Sequence, residues 1–159
     1  MQHPKLKLNS LDQLTKLLLK KIKSNQSNRL MVCIAGAPGS GKSYISSNLL
    51  KKINFIRQQS EIFEMDGFHY DDVILKKKKL IKRKGSQQTF DVMGLKSFLQ
   101  RLKTNNEVQV TVPIFDRKLE LSRGSAKIIK NTIPLIITEG NYLLLKQKPW
   151  SELQSYFDL

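Results

Sequence analysis

Residues 36–43 have the types and the spacing that bind phosphate. They follow an apolar run at 30–35 and complete the pattern G-x-x-x-x-G-K-[ST], with the residues Gly36, Ala37, Pro38, Gly39, Ser40, Gly41, Lys42 and Ser43. The glycines let the backbone curl until its N–H groups converge on phosphate oxygens. Lys42 is placed to reach the β- and γ-phosphates, and the Ser43 hydroxyl to ligate Mg²⁺. The pattern predicts an ATP or GTP site, which we extend to Tyr44 at the start of the next helix.

Two acidic residues follow apolar runs that we interpret as strands. Asp66 comes after residues 62–65, and Glu139 after residues 133–138. In a parallel α/β sheet both would lie at the carboxyl edge beside the phosphate loop. Asp66 is there a candidate general base for a phosphoryl acceptor, with a turn or helix-cap role as the alternative. Glu139 is a candidate metal-side carboxylate, with an ordinary strand end as the alternative. His69 follows as a turn or substrate-orienting residue.

The elements around these residues follow from periodicity and caps. A capping box at Ser10 opens a helix to about residue 23, and residues 24–28 form a loop before the first strand. The phosphate-loop helix should end near residue 53. Further helices are predicted over 73–84, from the N-cap Asp91 to about 104, and over 150–157. A strand at 108–113, a loop with residues 123–125, a hairpin-like segment at 126–131 and a strand at 133–138 complete the pattern.

Composition limits the class of protein. A chain of 159 residues with 40% hydrophobic and 26% charged residues fits one globular domain with a real core. The single Cys33 lies among apolar neighbours, so we expect a buried thiol in a reducing compartment. The sequence contains no secretory pattern and no apolar stretch of membrane-spanning length. These features predict a cytoplasmic protein.

The net charge of +15 permits several partners. Its densest part is the run at 76–84, which is either a solvated helix with one buried side or a basic collar near the site. Aromatic residues are 8% of the chain and do not alternate with the basic clusters, as a base-stacking surface would require. We therefore do not expect nucleic acid to be the functional partner, and we leave the oligomeric state open.

Ordered motifs along the chain resemble a known superfamily. They are the phosphate loop and residues 65–69, 85–91, 112–117 and 139–144. On these motifs the chain, from about Arg29 to Leu159, is similar to uridine kinase, phosphoribulokinase and pantothenate kinase. The similarity is greatest to a bacterial branch that includes kinases associated with fructose transport. It implies a P-loop kinase that uses ATP and Mg²⁺ and phosphorylates a small hydroxylated metabolite.

The resemblance also implies roles for single residues. Asp66 would be the catalytic base, and Glu139 the acid that positions metal and water. The residues toward the acceptor would be His69, Phe115, Asp116 and Arg117. Gln87 and Gln88 stand where family members usually carry Pro and Glu. Members also continue through a last core strand and an arginine-bearing lid, so the resemblance predicts a chain truncated at its C-terminus.

These inferences combine into one prediction. We expect a three-layer α/β P-loop domain with a mainly parallel sheet over residues 29–159, preceded by a helix and loop over 1–28. The expected activity is transfer of the ATP γ-phosphate to a hydroxyl of a sugar, a nucleoside or a pantothenate-like metabolite. The alternative is a basic nucleotide- or nucleic-acid-binding module without transferase activity.

Overall fold

Helices and strands alternate over the first half of the described chain, and three consecutive strands follow in the second half. The computed structural model describes residues 7–24, 29–56 and 60–159. The longer elements are α1 (Leu11–Ser24), β1 (Leu30–Ala35), α2 (Lys42–Phe55), β2 (Ser60–Glu64), α3 (Asp72–Lys77), α4 (Val92–Thr104), β3 (Gln109–Asp116), β4 (Leu121–Lys130) and β5 (Leu135–Gly140). Short 3-10 helices lie at Met65–Phe68, Ile81–Arg83, Gln87–Thr89 and Trp150–Tyr156. The predicted loop at 24–28 lies, after Ser24, outside the described residues.

Three parallel strands form the central sheet in the order β1-β5-β2. The middle strand, β5, is the one that the sequence predicts to be most buried, and its first four residues are buried. The register sets Ala35 opposite Gly140, and Glu64 opposite Glu139. The carboxyl ends of all three strands therefore meet at one edge of the sheet, where ligands bind in folds of this class.

Apolar residues on the two faces of the sheet belong to two separate cores. On one face, Val32 and Ile137 pack with α1 and α2. On the other face, Met31 and Ile136 pack with α4 and with the β3–β4 pair. Successive strand residues point to opposite faces, so each strand contributes to both cores. The predicted three-layer α/β architecture is confirmed.

Strands β3 and β4 form a separate antiparallel hairpin. The expectation of a strand that stops at residue 113, followed by a loop at 123–125, is wrong, because β3 continues to Asp116 and residues 123–125 lie inside β4. Pro113 has no N–H to donate, and the pairing register shifts between Val112 and Ile114. The irregularity admits the proline without ending the strand.

The hairpin is fastened to the sheet by polar contacts. The Lys127 ammonium group donates to the Ile62 carbonyl at 2.8 Å and pairs with the Glu61 carboxylate at 2.6 Å. The Ser122 hydroxyl donates to the carbonyl of Gly67 in the turn that follows β2. These contacts bring the tip of the hairpin to the carboxyl edge of the sheet.

The predicted helix at 73–84 is much shorter in the structure. It ends at Lys77, because Lys79 adopts the left-handed conformation with φ 57°. The Leu80 N–H then donates to the Leu75 carbonyl at 2.8 Å, and the Lys79 N–H to the Lys76 carbonyl at 3.0 Å. This is a Schellman termination, and it relieves the repulsion that consecutive turns of lysine would build up in a longer helix. The predicted last helix is the 3-10 helix Trp150–Tyr156.

Arg29 is a buried residue that the sequence analysis did not single out. It is only 3% exposed, and its guanidinium donates to the carbonyls of Ile133, Leu102 and Lys130 at 2.9, 3.0 and 2.6 Å. Burial lowers the pKa of Arg29 to about 10, so the side chain stays charged at neutral pH. Arg29 thus joins α4, β4 and the entry to β5.

The last residues of the chain run along the outer edge of β1. The Asp158 N–H donates to the Met31 carbonyl at 2.8 Å, and the Cys33 N–H to the Leu159 carbonyl at 2.9 Å. The Asp158 carboxylate also accepts from Lys103 of α4 at 2.5 and 2.6 Å. Cys33 is half-buried rather than buried, and desolvation raises the pKa of its thiol to about 12. Among the described residues, no helix is long and apolar enough to cross a bilayer.

Candidate functional site

The phosphate loop connects the end of β1 to the start of α2. Gly39 and Gly41 have φ of 75° and 85°, a left-handed conformation that side chains disfavour. At Gly36 an added Cβ would lie 2.7 Å from the Ser40 hydroxyl oxygen. The spacing of these glycines is therefore set by the shape of the loop, which leads directly into the N-terminus of α2. Free backbone donors and the helix dipole favour an anion at this position.

Lys42, the first residue of α2, is buried at 9% exposure. Because lysine side chains are usually exposed, the sequence predicts an exposed Lys42, and that prediction is wrong. The Lys42 ammonium group folds back along the loop and donates to the Ala37 carbonyl at 2.8 Å. The side chain therefore lies inside the curve of the loop, where a bound phosphate would compete with the carbonyl for it.

Ser43 and Glu139 meet across the carboxyl edge of the sheet. The Ser43 hydroxyl, in the first turn of α2, donates to Glu139 Oε1 near the end of β5. A hydroxyl and a carboxylate oxygen side by side are the hard ligands that Mg²⁺ prefers. Among the described residues, no group of three or more His, Cys, Asp or Glu could hold a metal alone. That still fits Mg²⁺, which usually keeps waters and takes further ligands from substrate phosphates.

Asp66 lies in the 3-10 turn that follows β2. Its carboxylate Oδ2 accepts from Arg117 Nη2 at 3.2 Å, and Arg117 is on the turn that joins β3 to β4. Gly67 makes this approach possible, because a Cβ there would lie 2.6 Å from the carbonyl oxygen of Pro113. Asp66 is thus held between the sheet and the hairpin tip.

One cleft of about 370 Å³ brings most of these side chains together. Its lining is polar and comes from the phosphate loop, the ends of β2 and β5, and the hairpin tip. The lining residues are Pro38, Gly39, Lys42, Ser43, Glu64, Asp66, Arg117, Glu139, Gly140 and Asn141. The sequence predicted six of them, namely Pro38, Gly39, Lys42 and Ser43 of the loop with Asp66 and Glu139, as one site, and Arg117 on its acceptor side.

Glu64 is a cleft residue that the sequence analysis missed. It lies opposite Glu139 in the pairing of β2 with β5, and its side chain lines the cleft. The pKa of Glu64 is raised, first by desolvation between the cleft walls and then by the negative charges of Glu139 and Asp66. The available signal was its position two residues before Asp66 at the end of a predicted strand.

His69 and Phe115 form an aromatic cluster next to the cleft. The His69 ring lies 3.9 Å from the Phe90 ring and 4.9 Å from the Phe115 ring, measured between centroids. The Nδ1 atom of His69 is 3.0 Å from the Asp66 carbonyl oxygen. His69 therefore links the turn that carries Asp66 to the strand that carries Phe115.

The Asp116 carboxylate makes its hydrogen bonds within its own hairpin. Its carboxylate accepts from the N–H groups of Lys118 and Leu119 at 3.0 and 3.2 Å, and from Arg123 Nη1 at 3.2 Å. These bonds, the Leu119 N–H first among them, hold the pKa of Asp116 below its usual value. The carboxylate shapes the turn in which Arg117 lies.

Tyr44 is outside the cleft lining. Its side chain is 75% exposed on the first turn of α2, and its ring makes no contribution to the wall of the cleft. Its predicted contact with a nucleotide stays a prediction, because the described cleft extends only to Ser43 on this helix.

Comparison with known proteins gives the site a context. A solved structure from Silicibacter sp. TM1040, described as a candidate kinase of a fructose transport system, is 33% identical in sequence. The two chains superpose with a TM-score of 0.86 over 94% of this chain and 72% of that one. A candidate uridine kinase of Schizosaccharomyces pombe is 30% identical over 158 residues. The chain belongs to the P-loop kinase superfamily of uridine kinase and pantothenate kinase.

More distant kinases are similar in sequence or in fold. The pantothenate kinase of Enterococcus faecalis is 26% identical over 132 residues. A candidate uridine kinase structure from Bacillus stearothermophilus, 21% identical, has a TM-score of 0.67. The chain spans 66% of the length of the S. pombe protein and 42% of the pantothenate kinase, while 96% and 80% of its own length is matched.

A family model described as "Schlafen group 3, DNA/RNA helicase domain" matches residues 29–134. The matched range contains the phosphate loop and Asp66 and ends before Glu139. Phosphate loops occur in proteins with many different activities, so a match over this range agrees with a nucleotide-binding core. The similarity to P-loop kinases covers more of the chain and includes Glu139.

Proposed function

We propose that the chain binds MgATP and transfers its γ-phosphate to a hydroxyl group of a small metabolite. The observation that carries the proposal is the convergence of Lys42, Ser43, Glu139 and Asp66 on one polar cleft. Phosphoryl transfer needs groups that hold the phosphates, groups that hold the metal, and a base for the acceptor hydroxyl. The cleft contains a candidate for each of the three.

The phosphate side of the cleft is assigned to the loop and the start of α2. The backbone N–H groups of residues 39–44 surround the polyphosphate, and the Lys42 ammonium group transfers from the Ala37 carbonyl to the phosphate oxygens. The Ser43 hydroxyl and the Glu139 carboxylate would hold Mg²⁺. The bound ion would supply positive charge that offsets the negative charge developing on the phosphates.

The acceptor side is assigned to Asp66 and the hairpin. The Asp66 carboxylate accepts the proton of the acceptor hydroxyl, while that oxygen bonds to the γ-phosphorus and the bond to ADP breaks. His69 and Phe115 offer a ring surface for the acceptor. Asp116 contributes by fixing the turn in which Arg117 lies. A sugar, a nucleoside or a pantothenate-like metabolite satisfies this arrangement, and the names of the relatives include uridine and pantothenate kinases.

The proposal also assigns the domain bounds and the cellular location. Residues 29–159 are assigned as the kinase domain, and residues 1–28 as the helix and connection that precede it. A kinase of small metabolites that uses ATP acts where ATP is abundant, so the cytoplasm is the proposed location. The half-buried, protonated thiol of Cys33 is compatible with a reducing compartment.

The first experiment measures MgATP binding by calorimetry for the parent chain, Lys42→Ala and Lys51→Ala. Lys51 is an exposed lysine of the same helix and serves as a control for the loss of one positive charge. We expect Lys42→Ala to weaken binding at least tenfold and Lys51→Ala to leave it within twofold. A direct contact with phosphate contributes more to the binding free energy than a distant charge does. Since Lys42 is buried, circular dichroism must show native structure for the variant. Equal affinities of the two variants would contradict the nucleotide site.

The second experiment is a screen of sugars, nucleosides and pantothenate for ATP-dependent phosphorylation. Formation of ADP that depends on one acceptor class would support the kinase and name the acceptor. A chain that binds MgATP and phosphorylates none of them would favour the non-catalytic alternative. That alternative gains some support from the helicase-domain match and from the net charge of +15.

A further inference from the structure

Two cationic side chains line the described part of the cleft, and protein oxygens hold both of them. Lys42 donates to the Ala37 carbonyl at 2.8 Å, and Arg117 donates to Asp66 Oδ2 at 3.2 Å. The Arg117 side chain is 75% exposed, so water surrounds most of it and few packed neighbours restrain it. A single, long hydrogen bond on an exposed arginine holds the pair weakly.

Arg117 lies in the same cleft as Gly39, Lys42 and Ser43 of the phosphate side. A terminal phosphate bound there carries about two negative charges, whereas Asp66 carries one, and attraction grows in proportion to the charge. A guanidinium also offers several donors in a fixed plane and binds phosphate oxygens in pairs. A γ-phosphate in the cleft therefore competes with Asp66 for Arg117 and has the advantage.

The present contact also affects Asp66. While Arg117 donates to Oδ2, a lone pair of that oxygen faces the guanidinium and not an acceptor hydroxyl. A general base must lie within hydrogen-bond reach of the proton that it takes. The contact with Arg117 therefore occupies one of the two lone pairs of Oδ2 and competes there with an acceptor hydroxyl.

We infer that Arg117 is a nucleotide-dependent switch: it masks Asp66 Oδ2 in the free protein and moves to the γ-phosphate when MgATP binds. The inference rests on the proposed function and deepens it, since it gives Arg117 a role on the transferred group. After the move, the acceptor proton passes to Oδ2, the acceptor oxygen bonds to the γ-phosphorus, and ADP leaves. MgATP thereby prepares the base before the acceptor is used.

The test is a double-mutant cycle read by binding alone. Calorimetry measures the affinity of a non-hydrolysable Mg-triphosphate analogue for the parent chain, Asp66→Asn, Arg117→Gln and the double variant, with MgADP as the comparison ligand. Asp66→Asn releases Arg117, so we expect it to tighten triphosphate binding about two- to fivefold in the parent background. The gain should be clearly smaller in the Arg117→Gln background, where only the general loss of negative charge remains. With MgADP, Asp66→Asn should change the affinity by the same factor with and without Arg117→Gln.

Arg101→Gln is the matched control, because Arg101 pairs with Glu107 in another exposed ion pair and does not line the cleft. It should leave the triphosphate affinity unchanged. If Asp66→Asn has the same effect with and without Arg117→Gln, the switch is overturned while the proposed kinase function stands. If the parent chain binds neither nucleotide, both the proposed function and the switch are overturned.

Discussion

Glu64, Asp66 and Glu139 place three carboxylates in one cleft. Only Asp66 has a described ion pair, and Glu139 accepts from the Ser43 hydroxyl. Desolvation raises the pKa of Glu64 most, and the neighbouring negative charges of Glu139 and Asp66 raise it further. Such crowding costs stability in the free protein and is relieved by a bound cation, so it fits a site that is completed by Mg²⁺ and ATP.

The role of Asp66 can be separated from nucleotide binding. We expect Asp66→Asn to bind MgATP at least as tightly as the parent chain and to lower turnover by about a hundredfold or more, because the amide cannot accept the acceptor proton. Asp12→Asn removes an exposed carboxylate on α1 and is the matched control. Turnover at the parent rate in Asp66→Asn would mean that Asp66 only shapes its turn.

Glu64 predicts a pH dependence of stability. Its folded-state pKa is raised above 4.5, so the group stabilises the fold below pH 4.5 and loses that contribution as the pH rises through the raised value. We expect Glu64→Gln to raise the melting temperature by up to about 3 °C at pH 7. The difference should shrink as the pH falls through 4.5 and disappear near pH 3, where the parent carboxyl is protonated in both states. A variant less stable than the parent at pH 7 would contradict this account.

At the scale of elements, the hairpin decides where the acceptor side of the site lies. The β3–β4 pair does not join the central sheet, and its tip reaches Asp66 through the close approach of Gly67 to Pro113. Residues far apart in sequence, such as Asp66 and Arg117, meet only because this approach is closer than a side chain allows.

Gly67→Ala tests that approach. The added Cβ would lie 2.6 Å from the Pro113 oxygen and 2.9 Å from its carbonyl carbon, which are backbone atoms that cannot move alone. We expect a loss of about 1–3 kcal/mol in the free energy of unfolding, measured by urea denaturation, together with lower turnover. Gly124→Ala on β4 meets no atom within 4 Å and should change stability by less than about 1 kcal/mol. Equal unfolding midpoints for the two variants would show that the hairpin adjusts freely.

At the scale of the whole molecule, the distribution of the net charge of +15 decides whether it forms a binding surface. The run at 76–84 is exposed over most of its length, and Lys84 is its member with a described acidic partner, Asp72. The early end of α3 spreads these cations over a short helix, a turn and a 3-10 helix. They do not form one straight groove, and the structure favours a solvated basic surface over a collar that faces the cleft.

A salt titration with a single-stranded oligonucleotide tests this surface. We expect weak binding whose logarithm falls linearly with the logarithm of salt concentration, with a slope of about 0.7 per contacted phosphate. Lys76→Glu with Lys77→Glu should lower the slope without altering MgATP affinity. Tight oligonucleotide binding that persists at about 0.2 M salt would instead favour the nucleic-acid-binding alternative.

Local patterns in the sequence determined the elements that carry the chemistry. The predicted bounds of β1 agree with the structure, and Asp91 caps α4 as expected, accepting from the Gly94 N–H at 2.9 Å. The phosphate loop needs glycine where φ is positive, and buried strands need apolar runs. Both elements can therefore be recognised in the sequence. The parallel sheet expected from these elements predicts Asp66 and Glu139 at one edge, and both line the cleft there.

The tertiary structure alone decided the contacts between these elements. The burial of Lys42, the place of Glu64 opposite Glu139 and the pairing of Arg117 with Asp66 depend on strand register and on the packing of the hairpin. No local pattern in the sequence encodes such contacts, because they join residues that are far apart along the chain. Ser43 and Glu139, for example, are 96 positions apart. The early end of α3 also depends in part on tertiary packing. Leu75 is buried in the body of the protein and fixes the turn at which the helix stops.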